Sequence, residues 1–219
     1  MIRICPSILN ANFDDLPGEI EKVALTADLI HLDVMDNVFV PNFTFSPERT
    51  REIIDFSTLP IDVHLMVAEV DEKVSQYSSK NAVSMTVHFE ACQDPLQTLK
   101  NIRSLGKRAG LAIKPDTPIE VVEELLPAID MIVVMTVEPG FGGQSFMASM
   151  MPKVEKARRY LEQRKLNDVW LQIDGGISLS TIETARRAGA DTFVAGSAVY
   201  KSENPGSMVE QLRTLANNC

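Results

Sequence analysis

The sequence predicts a single-domain (β/α)8 TIM barrel spanning residues 1–219, and three observations carry that expectation. Strand-like and helix-like patterns alternate eight times along the chain. Regular alternation calls for parallel strands joined by crossover helices, and about 25 residues per unit is the compact end of the barrel size range. The competing doubly wound sheet, in its dinucleotide-binding form, would carry G-x-G-x-x-G after the first strand. This chain reads Ser7-Ile8-Leu9-Asn10-Ala11-Asn12 there.

Taken in order, a strand over 3–9 precedes a helical pattern near 14–26. A second strand over 28–34 runs into a loop through Pro41-Asn42 and a helix opened by Ser46-Pro47, a sound cap and first-turn pair. Strands over 60–67 and 83–88 precede helices near 71–79 and 95–105. A fifth strand over 109–114 leads through Pro115-Asp116-Thr117-Pro118 to a helix over 119–126, with Thr117 and Pro118 again suited to cap and first turn. The sixth strand, 131–136, is followed by a glycine-rich loop over 138–146 and a helix near 152–164. Strands over 169–174 and 190–195 precede helices near 180–188 and 205–216.

Period-two patterning separates the second and third strands into unlike faces. Ile30, Leu32 and Val34 share one side, while His31, Asp33 and Met35 share the other; Asp62, His64 and Met66 repeat the arrangement opposite Ile61, Val63, Leu65 and Val67. Asp174 ends the seventh strand opposite Val169, Leu171 and Ile173. In a barrel these polar residues gather at the C-terminal strand ends, where such folds keep their active sites. Burying two carboxylates without partners costs several kcal/mol each, a cost that a divalent cation would offset. His31, Asp33, His64 and Asp174 are therefore expected to hold one cation, and the donor set suits Zn2+, Fe2+, Mn2+ or Co2+. Met35, Met66 and Met135 would cap that site with polarizable, non-titrating surface. The third histidine, His88, is read as supporting or structural. Lys114 is read as inward-facing, either paired with a carboxylate or touching a ligand. Cys5 is read as a small core residue.

Glycines mark the ends of the last three strands: Gly140-Phe141-Gly142-Gly143, Gly175-Gly176 and Gly196-Ser197. The latter two occupy the usual phosphate position of a barrel, where backbone N–H groups receive an anion. The net charge of −9 makes such local capture necessary for an anionic ligand, and it argues against nucleic acid as a partner. No apolar run reaches the roughly 18–20 residues of a membrane helix. The first residues enter a strand pattern at once, which leaves no room for a signal peptide. Three widely spaced cysteines argue against a disulfide framework and for a reducing, cytoplasmic setting.

The residues at 5–9 (Cys-Pro-Ser-Ile-Leu), 31–37 (His-Leu-Asp-Val-Met-Asp-Asn), 40–42 (Val-Pro-Asn), 62–66 (Asp-Val-His-Leu-Met), 139–146 (Pro-Gly-Phe-Gly-Gly-Gln-Ser-Phe), 174–177 (Asp-Gly-Gly-Ile) and 195–198 (Ala-Gly-Ser-Ala) resemble the ribulose-phosphate 3-epimerase family, in its order and over nearly the whole chain. The resemblance implies metal binding by His31, Asp33, His64 and Asp174, with Asp33 and Asp174 doubling as the acid/base pair. It implies contacts from Ser7 and His64 to a phosphorylated ketose, with Gly140–Gly143, Gly175, Gly176, Gly196 and Ser197 at the phosphate end. The implied reaction is two-base proton transfer at C3 through an enediolate, interconverting D-ribulose 5-phosphate and D-xylulose 5-phosphate in the pentose phosphate pathway. A homo-oligomer is implied as well. One departure is Phe43-Thr44-Phe45-Ser46-Pro47, where the family more often has glycine before the proline and where allulose-6-phosphate 3-epimerases are similar. Barrel sugar-phosphate decarboxylases resemble the architecture but carry lysine in an Asp-x-Lys-x-x-Asp motif, whereas this chain reads Asp62-Val63-His64.

Overall fold

The computed structural model describes all of residues 1–219. Its eight strands are β1 Arg3–Pro6, β2 Ile30–Met35, β3 Ile61–Met66, β4 Ala82–His88, β5 Arg108–Ile113, β6 Met131–Met135, β7 Trp170–Asp174 and β8 Thr192–Ala195. They form one parallel sheet in the order β1-β8-β7-β6-β5-β4-β3-β2. A lone parallel bridge between Ser7 and His31 joins the two ends, so the sheet curls into a barrel whose seam lies at the C-terminal end of β1. Seven α-helices accompany it: α1 Leu16–Glu21, α2 Pro47–Phe56, α3 Pro95–Ser104, α4 Met151–Gln163, α5 Ile182–Arg187, α6 Ser197–Tyr200 and α7 Pro205–Asn217. None is long and apolar enough to cross a membrane.

The alternation read from sequence sets the layers. Ile30, Leu32 and Val34 of β2 and Ile61, Val63 and Leu65 of β3 are fully buried in the apolar layer between strands and helices. Each such side chain contributes roughly 1.5–3 kcal/mol when buried. A one-residue slip would turn all six inward and put His31, Asp33 and His64 among the helices, so one face's apolar burial specifies the other face's chemistry. Cys5 is fully buried, and all three cysteines are free.

Helix starts follow a shared device. Ser46, Asp94 and Asn204 accept the amides of Arg49, Gln97 and Ser207 at 3.2, 3.0 and 3.0 Å, and each is followed by proline in the first turn. Four expected elements differ. The first helix, expected near 14–26, is α-helical only over Leu16–Glu21, after a 3₁₀ turn over Phe13–Asp15. The first strand stops at Pro6, because Ser7 caps a 3₁₀ turn over Ile8–Asn10 through its Oγ. The stretch 71–79 forms two 3₁₀ segments, Val70–Glu72 and Val74–Tyr77. Val74 and Tyr77, three apart and both buried, suit a three-residue turn, while Asp71 accepts the amides of Gln93 and Asp94 at 3.0 Å each. Ile119–Ala128 is likewise 3₁₀. Thr117 does not cap it, since its hydroxyl donates to Glu90.

Candidate functional site

The parallel register of β2 and β3 pairs His31 with Asp62 and Asp33 with His64. The two histidine-bearing strands thus stand side by side, and Asp174 arrives from the end of β7 across the lumen. Four donor atoms converge. His31 Nε2 lies 3.3 Å from Asp33 Oδ1 and 3.7 Å from Asp174 Oδ2. His64 Nδ1 lies 3.2 Å from Asp33 Oδ1, 3.3 Å from Asp174 Oδ2 and 3.3 Å from His31 Nε2. All four donors fall within 4.8 Å of one another. Bonds of about 2.0–2.1 Å to a tetrahedral cation put donors about 3.3–3.4 Å apart. The five spacings that involve a histidine, 3.2–3.7 Å, lie near that value, and the two-nitrogen, two-oxygen set is one that divalent metals take.

The electrostatics favour positive charge at this point. Burial alone would lower both imidazoles, yet the facing carboxylates outweigh it and raise His31 well above its ordinary value and His64 above its own. Burial would likewise raise Asp33, but the rings of His31 and His64 hold it far below the carboxylate range. The second nitrogen of each histidine is also committed. His31 Nδ1 lies 2.8 Å from Asp62 Oδ2; an ionised carboxylate only accepts, so Nδ1 keeps its proton and Nε2 is the nitrogen that a cation could take on displacing its proton. Asp62 is fully buried and also accepts from Ser84 Oγ at 2.6 Å and Gln172 Nε2 at 2.8 Å. His64 Nε2 stands 2.9 Å from His88 Nε2. Burial pushes His88 down to about 4, so it stays neutral, with Glu90 Oε2 3.3 Å from its Nδ1.

Above the cluster opens a cleft of about 520 Å3. Ser7, Asp33, Asp174, Met35, Met66, Met135, Gly140, Phe141, Gly142, Gly143, Gly175, Gly176, Gly196 and Ser197 all line it. His31 and His64 do not; fully buried, they sit one layer beneath its floor. The three methionines are at most 2% exposed and form its wall. Gly175 and Gly176 have φ of +122° and +68°, and a Cβ on Gly176 would come within 2.5 Å of the Phe146 amide nitrogen, so only glycine fits this turn. The amides of Gly176 and Gly196 donate to no backbone acceptor. Lys114 neither lines the cleft nor pairs with a carboxylate; its Nζ sits 4.1 Å from the centre of the Phe39 ring. The motif departure at 43–47 also stays outside the cleft. Thr44 Oγ1 accepts the Met35 amide and donates to the Asp33 carbonyl, and Phe45 packs on Phe13.

Sequence reasoning did not assign roles to Asp62, Gln172 or Asn10. Asp62 and Gln172 lie two residues before His64 and Asp174 on the same strands, hence on the same inner face and one layer deeper. That alternation was the available signal.

Fold and site together define a (β/α)8-barrel enzyme with a buried His/Asp cluster, of a composition that could hold a cation, under a glycine-rimmed cleft. Comparisons with known proteins place it among the isomerases. The model of the Ribulose-phosphate 3 epimerase family matches residues 3–200, and the chain belongs to that family. Among curated relatives, ribulose-phosphate 3-epimerase of Bacillus subtilis (strain 168) is 38% identical over 97% of this chain and 99% of its own length. The Mycobacterium leprae (strain TN) enzyme of the same name is 41% identical over 97% and 94%. Among solved structures, KGPDC from Streptococcus mutans superposes with a TM-score of 0.73 over 100% of this chain and 98% of that one. At 14% identity, that likeness speaks for the fold alone.

Proposed function

We infer that this chain interconverts D-ribulose 5-phosphate and D-xylulose 5-phosphate by moving a proton at C3 through an enediolate. The observation that carries the reading is the placement of Asp33 and Asp174. They come from strands separated by two others around the barrel, converge on the same two histidines, and both face the cleft.

His31, Asp33, His64 and Asp174 would hold one divalent cation, with Zn2+, Fe2+, Mn2+ and Co2+ all compatible with the donors. When bound, such a cation supplies positive charge beside the ketose oxygens as negative charge develops on them. Asp33 and Asp174 take the proton roles. One carboxylate removes the C3 proton from one side of the sugar, and the other returns a proton to the opposite side; the roles exchange for the reverse reaction. General acid–base catalysis of this kind is worth roughly 10²–10⁴-fold. Ser7 Oγ donates to Asp33 Oδ2 at 2.5 Å, which fixes the carboxylate's rotation and leaves Oδ1 toward the histidines. The methionine wall brings no proton donor of its own and keeps water from the reacting carbon. The amides of Gly176 and Gly196, which donate to no backbone acceptor, would receive the phosphate. A cytoplasmic setting and a homo-oligomeric assembly complete the reading, by analogy with the family.

Reaction in deuterated water under single-turnover conditions tests it. Solvent deuterium should appear at C3 of nearly all product, and Asp33→Asn and Asp174→Asn should each stop epimerisation in both directions. Substantial retention of substrate hydrogen, or near-normal turnover in either variant, would overturn the two-carboxylate assignment.

A further inference from the structure

The cleft that is to receive a phosphorylated ligand is lined by no lysine and no arginine. A phosphate with two negative charges must then be held by neutral donors, and the side-chain N–H donors available there are those of Asn10 and Gln144. Gln144 is committed, since its Nε2 donates to the carbonyls of Glu138 and Phe141 at 2.6 and 2.8 Å. The carboxamide of Asn10 has no hydrogen-bond partner in the protein.

Its position is built rather than incidental. Ser7 Oγ accepts the Leu9 amide at 3.2 Å and so starts the 3₁₀ turn over Ile8–Asn10. Three residues per turn put Ser7 and Asn10 on the same side. One short turn therefore delivers Ser7 to the carboxylate end of the cleft and Asn10 further along it. At that place the carboxamide lies between two glycines of different loops. A Cβ on Gly142 would come within 2.7 Å of both its Nδ2 and Oδ1, and a Cβ on Gly196 within 2.6 Å of its Oδ1. Neither glycine has a positive φ, so the backbone there does not demand glycine. The space that both leave open is filled by Asn10.

We propose that Asn10 is a substrate-binding residue for the phosphoryl group, its side-chain N–H donating to a phosphate oxygen between the glycine loops that follow β6 and β8. This rests on the reading above that the ligand is a phosphorylated ketose. As a neutral donor, Asn10 adds no charge beside the acid/base carboxylates.

Two variants and two measurements test this. Asn10→Ala removes the donor and should raise KM for ribulose 5-phosphate roughly ten- to hundredfold, the worth of a hydrogen bond to a charged group. With the acid/base end intact, kcat should stay within a few-fold, the pattern of lost uniform binding. Asn10→Asp keeps the shape wedged between Gly142 and Gly196 but sets a negative charge against the phosphate. It should raise KM further, with the melting temperature close to that of the parent. Inorganic phosphate serves as the second probe, with calorimetry reporting its affinity without turnover. Its Kd should rise in step with KM in both variants. Unchanged phosphate affinity in folded Asn10→Asp would overturn the proposal, as would a rise in KM with no change for inorganic phosphate, which would put Asn10 against the sugar instead. A fall in kcat at constant KM would make it a mere spacer and overturn it too. A parent protein that binds phosphate in an Asn10-dependent way yet fails to epimerise ribulose 5-phosphate would refute the reaction and leave the Asn10 assignment standing.

Discussion

Replacing Asp62 by alanine separates supporting the His/Asp cluster from belonging to it. Asp62 touches neither the cleft nor the convergent donor atoms; its carboxylate accepts from His31 Nδ1, Ser84 Oγ and Gln172 Nε2, all fully buried. In the variant the Ser84 hydroxyl can rotate to another acceptor, whereas the N–H groups of His31 and Gln172 cannot. Two buried donors without acceptors cost about 1–3 kcal/mol each, so roughly 2–6 kcal/mol of stability is lost. A chain of this size loses about 2–4 °C in Tm per kcal/mol, and the native margin of about 5–15 kcal/mol leaves a folded protein to measure. The metal affinity should suffer separately. Without its acceptor the His31 ring is no longer held with Nε2 toward the site, and loss of such an outer partner weakens metal binding about 10–100-fold. Competition against a chromophoric chelator reads the affinity, and melting with and without saturating metal reads the stability. Asp62→Asn, which retains one acceptor oxygen, should fall between parent and alanine variant in both. A folded Asp62→Ala protein that binds metal as tightly as the parent would refute either the dependence of His31 on Asp62 or the place of His31 in the cluster.

Two further outcomes are expected. His64→Ala removes the donor that faces both Asp33 and Asp174 and should lose bound metal and epimerase activity together; full metal occupancy in that variant would strike His64 from the ligand set. The pH dependence of stability should differ in sign between metal-stripped and metal-loaded protein. Because His31 and His64 are raised by the carboxylates, their contribution without metal is complete below about pH 6.5 and is lost as pH climbs through the raised values. Metal requires the same rings unprotonated, so the stabilisation it adds grows with pH. Thermal melts between about pH 6 and pH 9 check this, and a metal-induced increment in Tm that shrank with rising pH would remove the imidazoles from the ligand set.

The alternation of β2, β3 and β7 made most of the site legible in one dimension. A period of two decides which residues share a face, and apolar burial decides which face turns to the helices, so the inward placement of His31, Asp33, Met35, His64, Met66 and Asp174 could be read without coordinates. The regular eightfold alternation of strand and helix patterns likewise determined the barrel. Local competition was harder to read: Ser7, Asp71 and Thr117 could each have extended a strand or capped a helix, and their side chains were taken instead by a short turn or by acceptors and donors from other units. What only the tertiary structure decided is what stands beside what. The register that sets His31 against Asp62, and Asp62 against Ser84, follows from how neighbouring strands stagger in a closed sheet, and no single strand encodes that stagger. The approach of Asn10 to Gly142 and Gly196 joins three loops far apart in the chain. Sequence periodicity acts within a segment, whereas hydrogen bonding and exclusion between segments depend on the closure of the barrel, and there the supporting partners of the site were settled.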